Sequence, residues 1–337
     1  MTWKQFYDSL EQAEYKNVYC LYGPEEYIKK SAFAALQKKL LPEGLEPLNE
    51  TVLENASAQQ IIEAAETLPM MAERRIVLVK DWAPLLSAKA KNGSADTEQL
   101  LKWLPNAPDS CSLVFYVHGA PDGRTKAMQA LTKQAACVQF ELLADDALAK
   151  WINAQLKPMG KHMSPKAIHQ LVFMAGRELT RLSGELGKLM AYAGDRESIT
   201  EQDVTQLVTP TLECTVFQLI DQLMAGNQMG AQQLFKTMLE SGENRIGILF
   251  MLTRQLRNLT HIKQLSGQGM RLNEIEKKLG LSHFVASSAE RQAKRFSLDG
   301  LEKGYRACLD AEFDIKSGKV RDVLAVDHLL LALGQMK

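Results

Sequence analysis

A chain of 337 residues is long enough for two or three domains, each with its own core. Its 46% hydrophobic and 24% charged residues are those of an ordinary globular protein, and forty basic against forty acidic side chains leave no net charge. That balance excludes capture of nucleic acid or an anionic membrane by whole-molecule attraction, so any such contact has to come from a local patch. The first sixteen residues mix charges throughout and lack the apolar core of a secretory signal. Trp3, Phe6, Tyr7 and Leu10 recur at helical spacing and predict an amphipathic helix packed on the body. No apolar run reaches the roughly 20 residues that span a bilayer, so no membrane partner is expected.

The first part of the chain alternates between strand and helix. Val18–Tyr22 reads as a short apolar strand, followed by a helix over about residues 25–40. Residues 51–53 predict a second strand and 58–67 a helix. Arg75–Lys80 is a buried strand rich in β-branched residues, 111–117 is another, and 137–142 is a further one. Helices are expected near 97–103 and 124–133, and the small, polar residues 87–97 read as a flexible surface loop. Strands that alternate with helices imply a parallel sheet covered on both faces.

After Glu141 the strand signal stops. Residues 145–156, 164–174, 178–192 and 200–208 predict four helices. Ser164-Pro165 and Thr200-Glu201-Gln202-Asp203 supply start signals for two of them. Thr209-Pro210-Thr211 discourages a continuous helix and marks a boundary. From Thr215 onward only helix-length patterns occur, broken at Gly226-Asn227, Ser241-Gly242, Gly267–Gly269 and Gly280, which predicts a bundle of about five to seven helices. The fold class is therefore α/β plus all-α, divided into 1–143, 144–210 and 211–337.

The strand and turn from Asn17 to Ser31 have the layout of a phosphate-binding P-loop without its chemistry. A working loop needs G-x-x-x-x-G-K-[ST], in which the second glycine lets backbone N–H groups cradle phosphate and the hydroxyl holds magnesium. Counting from Gly23, the second glycine position holds Ile28, the lysine position Lys29 and the hydroxyl position Lys30. The second failure lies on the next buried strand. An ATPase would end that strand in carboxylates that hold magnesium and polarise water, yet here it ends Lys80-Asp81-Trp82. The residues alone leave two readings open, a nucleotide-binding scaffold that has lost its nucleotide chemistry and a sheet that never had it.

Other constellations are bland. Five scattered cysteines, three of them in strand-like runs, read as small buried hydrophobes in a reducing cytoplasm. The six histidines show no metal-ligand spacing, so neither metal nor cofactor is expected. His118 at a strand end and Asp145-Asp146 at a helix start need no catalytic role.

Leu21-Tyr22-Gly23-Pro24-Glu25-Glu26-Tyr27 closely resembles the opening strand and turn of the bacterial DNA polymerase III delta subunit family. Thr67-Leu68-Pro69-Met70-Met71-Ala72-Glu73-Arg74-Arg75, Gly176-Arg177-Glu178-Leu179, Gly184-Glu185-Leu186-Gly187-Lys188-Leu189, Phe217-Gln218-Leu219-Ile220-Asp221 and Asp314-Ile315-Lys316-Ser317-Gly318 match in order, so the resemblance covers nearly the whole chain. It implies an AAA+-like fold in three parts: a nucleotide-binding-type domain without ATPase activity over 1–143, a small helical lid over 144–210 and a helical collar over 211–337. It also implies the function. Members bind the ring-shaped beta sliding clamp and favour its open form. They work in a hetero-pentamer with the ATP-hydrolysing gamma/tau subunits and delta-prime, acting on primer–template DNA in the cytoplasm. Such a chain is no enzyme by itself.

The family's clamp contact falls on Leu68, Pro69, Met70 and Met71, where many relatives carry an aromatic residue in place of Met71. Two thioethers at an exposed turn suit an irregular apolar pocket. The same residues read without the resemblance are the buried end of a helix. Arg177 and Arg181 lie where ATP-using relatives sense nucleotide and are expected here as solvent or salt-bridge residues. Arg254, Arg257, His261 and Lys263 follow one another along one helix, and Arg254, Arg257 and Lys263 are candidates for contact with DNA or a neighbouring subunit. The competing readings are an active AAA+ ATPase or remodeller, which Ile28, Lys30 and Lys80 oppose, and a delta-prime-like subunit, whose Ser-Arg-Cys stretch and zinc-ligand cysteines are missing.

Overall fold

A computed structural model describes residues 1–87 and 95–334. The chain forms two compact units, Met1–Leu143 and the part from Ala144 onward. The first runs α1 (Trp3–Glu11), β1 (Val18–Tyr22), α2 (Glu26–Leu40), α3 (Glu46–Asn49), β2 (Glu50–Glu54), α4 (Ala58–Glu66), β3 (Arg75–Lys80), α5 (Ala83–Leu86), α6 (Ala95–Trp103), β4 (Cys111–Tyr116), α7 (Lys126–Gln134) and β5 (Ala136–Gln139). The strands form one parallel sheet in the order β2-β3-β4-β1-β5.

The period of two along each strand decides the layering. Val18, Cys20, Val77, Val79, Leu113 and Phe115 point to one face, where α4, α6 and α7 supply Ile61, Leu100 and Leu131. Tyr19, Leu21, Ile76, Leu78, Val114 and Val138 point to the other, beneath Phe6 and Leu10 of α1 and Ala32 and Leu36 of α2. Runs buried on both faces belong to a parallel sheet with helices on each side. The expected amphipathic first helix is α1, capped by Thr2 in a reciprocal box with Gln5.

Three expectations change. The third late strand stops at Gln139 instead of reaching 142, because the carbonyl of Phe140 accepts from the Glu25 N–H and turns into the loop. Of the loop expected over 87–97, residues 88–94 lie outside the described residues, while 95–97 already belong to α6 and Thr97 is buried. The four-residue helices α3 and α5 were not legible, since one turn gives no periodicity and each carries a proline near its start.

The second unit is nearly all helical: α8 (Asp145–Leu156), α9 (Pro165–Ala175), α10 (Leu179–Ala193), α11 (Glu201–Leu207), α12 (Leu212–Met224), α13 (Gln228–Glu240), α14 (Arg245–Gly267), α15 (Leu272–Leu279), α16 (His283–Lys294), α17 (Leu298–Lys316) and α18 (Asp322–Leu333). The strand signal does not stop entirely, because the two-residue strands β6 (His162–Met163) and β7 (Ser198–Ile199) pair in parallel. The start signals work as read. Ser164 caps α9 with proline in its first turn, and Thr200 and Asp203 form the capping box of α11. The central α14 buries Ile248, Leu252, Leu256, Leu259 and Ile262 against Leu301 and Cys308 of α17 and Val326 and Leu329 of α18.

Asp203 is the most strongly held carboxylate of this unit. Both nitrogens of the Arg196 fork donate to it at 3.1 Å, and the Thr200 N–H and hydroxyl donate at 2.8 Å. The Arg196 guanidinium and these donors lower its pKa to about 2. The folded value lies below that of an unfolded aspartate, about 3.9. Its stabilisation is therefore complete above that pH and is lost as pH falls toward 2. Acid titration of the unfolding midpoint should show this loss between about pH 4 and pH 2, and Asp203→Asn should flatten that part of the curve while lowering stability at neutral pH.

Candidate functional site

The loop after β1 is closed by the protein's own groups. Gly23 takes φ +123°, and its N–H donates to the Gly119 carbonyl at 2.6 Å. A Cβ at this position would lie 2.2 Å from the carbonyl oxygen of Phe140, so the glycine is demanded by a close backbone crossing. Ile28 of α2 packs partly buried against the core, and Lys30 faces solvent.

Lys29 is fully buried. Its Nζ donates to the carbonyls of Gly23 at 2.8 Å and Val117 at 2.6 Å and pairs with Glu26 Oε1 at 2.5 Å. It also lies 4.9 Å from the centre of the Tyr116 ring. Two of the ammonium's N–H bonds go to those carbonyls, and the Glu26 carboxylate supplies the counter-charge. The lysine that would meet a phosphate is turned inward as a strut between the loop and the end of β4.

Its neighbours extend the network. The Tyr116 hydroxyl donates to Glu26 Oε2 at 2.8 Å, and burial, with that carboxylate beside it, pushes the phenol above its usual range. Asp81, at φ +46°, accepts from the His118 backbone N–H at 2.8 Å, and its other oxygen lies 2.7 Å from His118 Nδ1. On the magnesium side, Lys80 pairs with Glu54 at 2.9 Å, and Trp82 is buried against Phe115. Among the described residues no group of three or more histidine, cysteine, aspartate or glutamate side chains is placed to hold a metal ion.

The other feature is the turn between α4 and β3. Leu68, Met70 and Met71 are 75%, 57% and 85% exposed, which overturns the reading of these residues as a buried helix end. The helix stops at Glu66 because Pro69 follows closely. Met71 adopts φ +54°, a conformation that costs a non-glycine residue about 1–3 kcal/mol and persists only when the surroundings impose it.

Those surroundings are polar and buried. Asn49, fully buried, accepts from the Met70 N–H at 2.7 Å and donates to the Met70 carbonyl at 2.9 Å and to the Leu45 carbonyl at 3.1 Å. Buried Arg75 donates to Thr51 Oγ1 at 2.7 Å and to the Thr67 carbonyl at 3.3 Å. The turn is gripped at both ends while its apolar tips stay in water.

The charged residues of the second unit separate. Arg254 donates to Glu213 at 2.8 Å. Arg257 and His261 line an open cavity of about 320 Å³ with Gln264, Glu302, Tyr305 and Arg306. Lys263 lies nine residues beyond Arg254, roughly half a turn round the helix, and so faces away from it. Arg177 pairs with Asp145, whose other oxygen accepts from the His283 N–H at 2.8 Å, and Arg181 donates to the Thr209 carbonyl at 2.8 Å. Both arginines are hydrogen-bonded within the protein.

Residues 19–141 match the family described as DNA polymerase III, delta subunit, and residues 213–333 match its C-terminal domain. The chain is 30% identical over 332 residues to DNA polymerase III subunit delta of Bacillus subtilis, covering 96% of this chain and 95% of the relative. This chain belongs to the DNA polymerase III delta subunit family. A probable delta subunit of Aquifex aeolicus is 21% identical over 80% of this chain and 77% of its own. The solved Bacillus subtilis DNA clamp loader delta protein superposes with a TM-score of 0.61 at 27% identity, covering 99% of each chain. The parallel sheet followed by a helical unit is thus the delta fold.

Sequence reading of this delta-family chain missed Asn49, Thr51 and Arg75 as supports of the turn. Asn49 and Thr51 precede it by about twenty residues, and no local pattern marks a side chain that grips a distant backbone. Lys29 was legible as a position but not as a strut. Lys29→Met should lower the stability of the first unit by about 3–5 kcal/mol, because it leaves Glu26 and two carbonyls without their cation. Urea unfolding checks this, and adding Glu26→Gln should recover part of the loss.

Proposed function

We propose that this delta-family chain binds a ring-shaped beta sliding clamp through Leu68, Pro69, Met70 and Met71 and favours the ring's open form. It does so as the non-hydrolysing member of a cytoplasmic hetero-pentamer with ATP-hydrolysing gamma/tau subunits and delta-prime, which places the clamp on primer–template DNA. The first unit is the AAA+-like, clamp-binding part, residues 144–210 are the lid and 211–337 the collar that joins the other subunits.

The observation that carries this reading is the turn, with three large apolar side chains in water on a backbone fixed from below. A turn already in its bound form loses little freedom on docking, and burying each methionine contributes roughly 1.5–3 kcal/mol. Ring opening then requires that the turn fit the open clamp better than the closed one, because a ligand shifts an equilibrium only by its difference in affinity. A rigid turn supports such discrimination.

Dependence on partners for hydrolysis is supported by Lys29, whose buried ammonium is held by two carbonyls and the Glu26 carboxylate, and by Ile28, Lys80 and Trp82 in place of the phosphate and magnesium groups. Of the three collar candidates, Arg257, beside Arg306 and His261, is the residue we assign to contact with DNA or a neighbouring subunit. Arg254 is engaged by Glu213, and Lys263 points elsewhere.

Binding of the purified chain to the sliding clamp of its own species, without nucleotide, tests the reading. Met70→Ala/Met71→Ala should weaken binding by at least about tenfold with an unchanged unfolding midpoint. Asn49→Ala, which leaves the apolar tips in place, should weaken it less, through a loosened turn. Equal affinity of the double variant and the unaltered chain would remove the turn from the contact.

A further inference from the structure

Cys20 of β1 and Cys137 of β5 are directly paired in the parallel ladder. Both side chains lie on the sheet face covered by α7, Cys20 fully buried and Cys137 partly exposed on the edge strand. Adjacent strands lie about 4.8 Å apart, within the ~4.4–6.8 Å between Cα atoms that a disulfide spans. The remaining cysteines, Cys111, Cys214 and Cys308, are buried and not paired with either of them in the ladder.

We propose that Cys20 and Cys137 are a site of reversible oxidation by hydroperoxides, with Cys137 as the reacting thiol and Cys20 as the thiol that resolves it to a disulfide. The surroundings assign the two roles. Cys137 on the edge strand is the one within reach of solvent, and the adjacent Cys20 thiol holds it below its ordinary range, while Cys20, fully buried, is raised. Burial pushes Cys111, Cys214 and Cys308 up to about 12, which keeps them protonated and unreactive.

In the first step the Cys137 thiolate attacks the outer oxygen of the hydroperoxide. An S–O bond forms, the O–O bond breaks, and the departing alkoxide takes up the proton that Cys137 gave up, which leaves a sulfenic acid and an alcohol. In the second step the sulfur of Cys20 attacks that of Cys137. The S–S bond forms, the S–O bond breaks, and the hydroxyl leaves as water with the proton of Cys20. The two sulfurs together supply the two electrons that reduce the peroxide bond.

The test treats the intact chain with hydrogen peroxide, blocks remaining thiols by alkylation and maps peptides without reductant. A Cys20–Cys137 linked peptide that dithiothreitol abolishes is the expected result. Without peroxide, alkylation of the native protein should be at least about tenfold faster at Cys137 than at Cys111, Cys214 or Cys308. Cys20→Ser should accumulate a sulfenic acid at Cys137 that dimedone traps, and Cys137→Ser should yield neither product. The wild-type peptide map stands even where a variant folds poorly. Oxidation of Cys137 without the linkage, a link between two molecules, or prior oxidation of another cysteine would overturn the proposal.

Discussion

The buried ammonium of Lys29 ties together the pieces that define the first unit. It joins the loop after β1, through Gly23, to the end of β4, through Val117, and it carries Glu26 and Tyr116 with it. Taking a charge out of water costs several kcal/mol unless it is paired and hydrogen-bonded. The arrangement therefore holds only while all three acceptors stay in place. In a nucleotide-binding protein the same position answers to a phosphate that comes and goes, whereas here the counter-charge is a permanent part of the chain. The C-terminal edge of the sheet is consequently a fixed platform.

Fixity is what the exposed turn requires. Leu68, Met70 and Met71 gain nothing by facing water, and left unconstrained an apolar turn would fold back onto the body. Asn49 prevents this by occupying both backbone groups of Met70, and Arg75 secures the carbonyl of Thr67 before Pro69. The polar groups are inside and the apolar ones outside, the reverse of the usual distribution. Such inversion is what the proposed clamp contact would require of this turn.

The second unit depends on a different economy of charge. Asp145 binds Arg177 and the start of α16, Glu213 binds Arg254, and Asp203 binds Arg196, so Arg177, Arg196 and Arg254 are held in internal pairs. Arg257 and Arg306 share a cavity instead. With a net charge of zero, any contact with nucleic acid has to come from a local patch of this kind.

The strands β1 and β3, the helix starts at Ser164 and Thr200, and the departures from a phosphate- and magnesium-binding pattern at Ile28, Lys30 and Lys80 were all legible in the sequence. Each is written within a few consecutive residues, through a period of two, a capping hydroxyl or a motif spacing. The family resemblance, not the residues alone, placed Leu68–Met71 at an exposed turn. What the residues alone could not decide was whether those side chains were exposed, where the Lys29 ammonium pointed, that Asn49 grips Met70, or that Cys20 and Cys137 lie side by side. These facts depend on register and on contacts between residues as much as 117 positions apart. Local chemistry determines which elements form, but only the closed sheet determines which distant groups share a hydrogen bond.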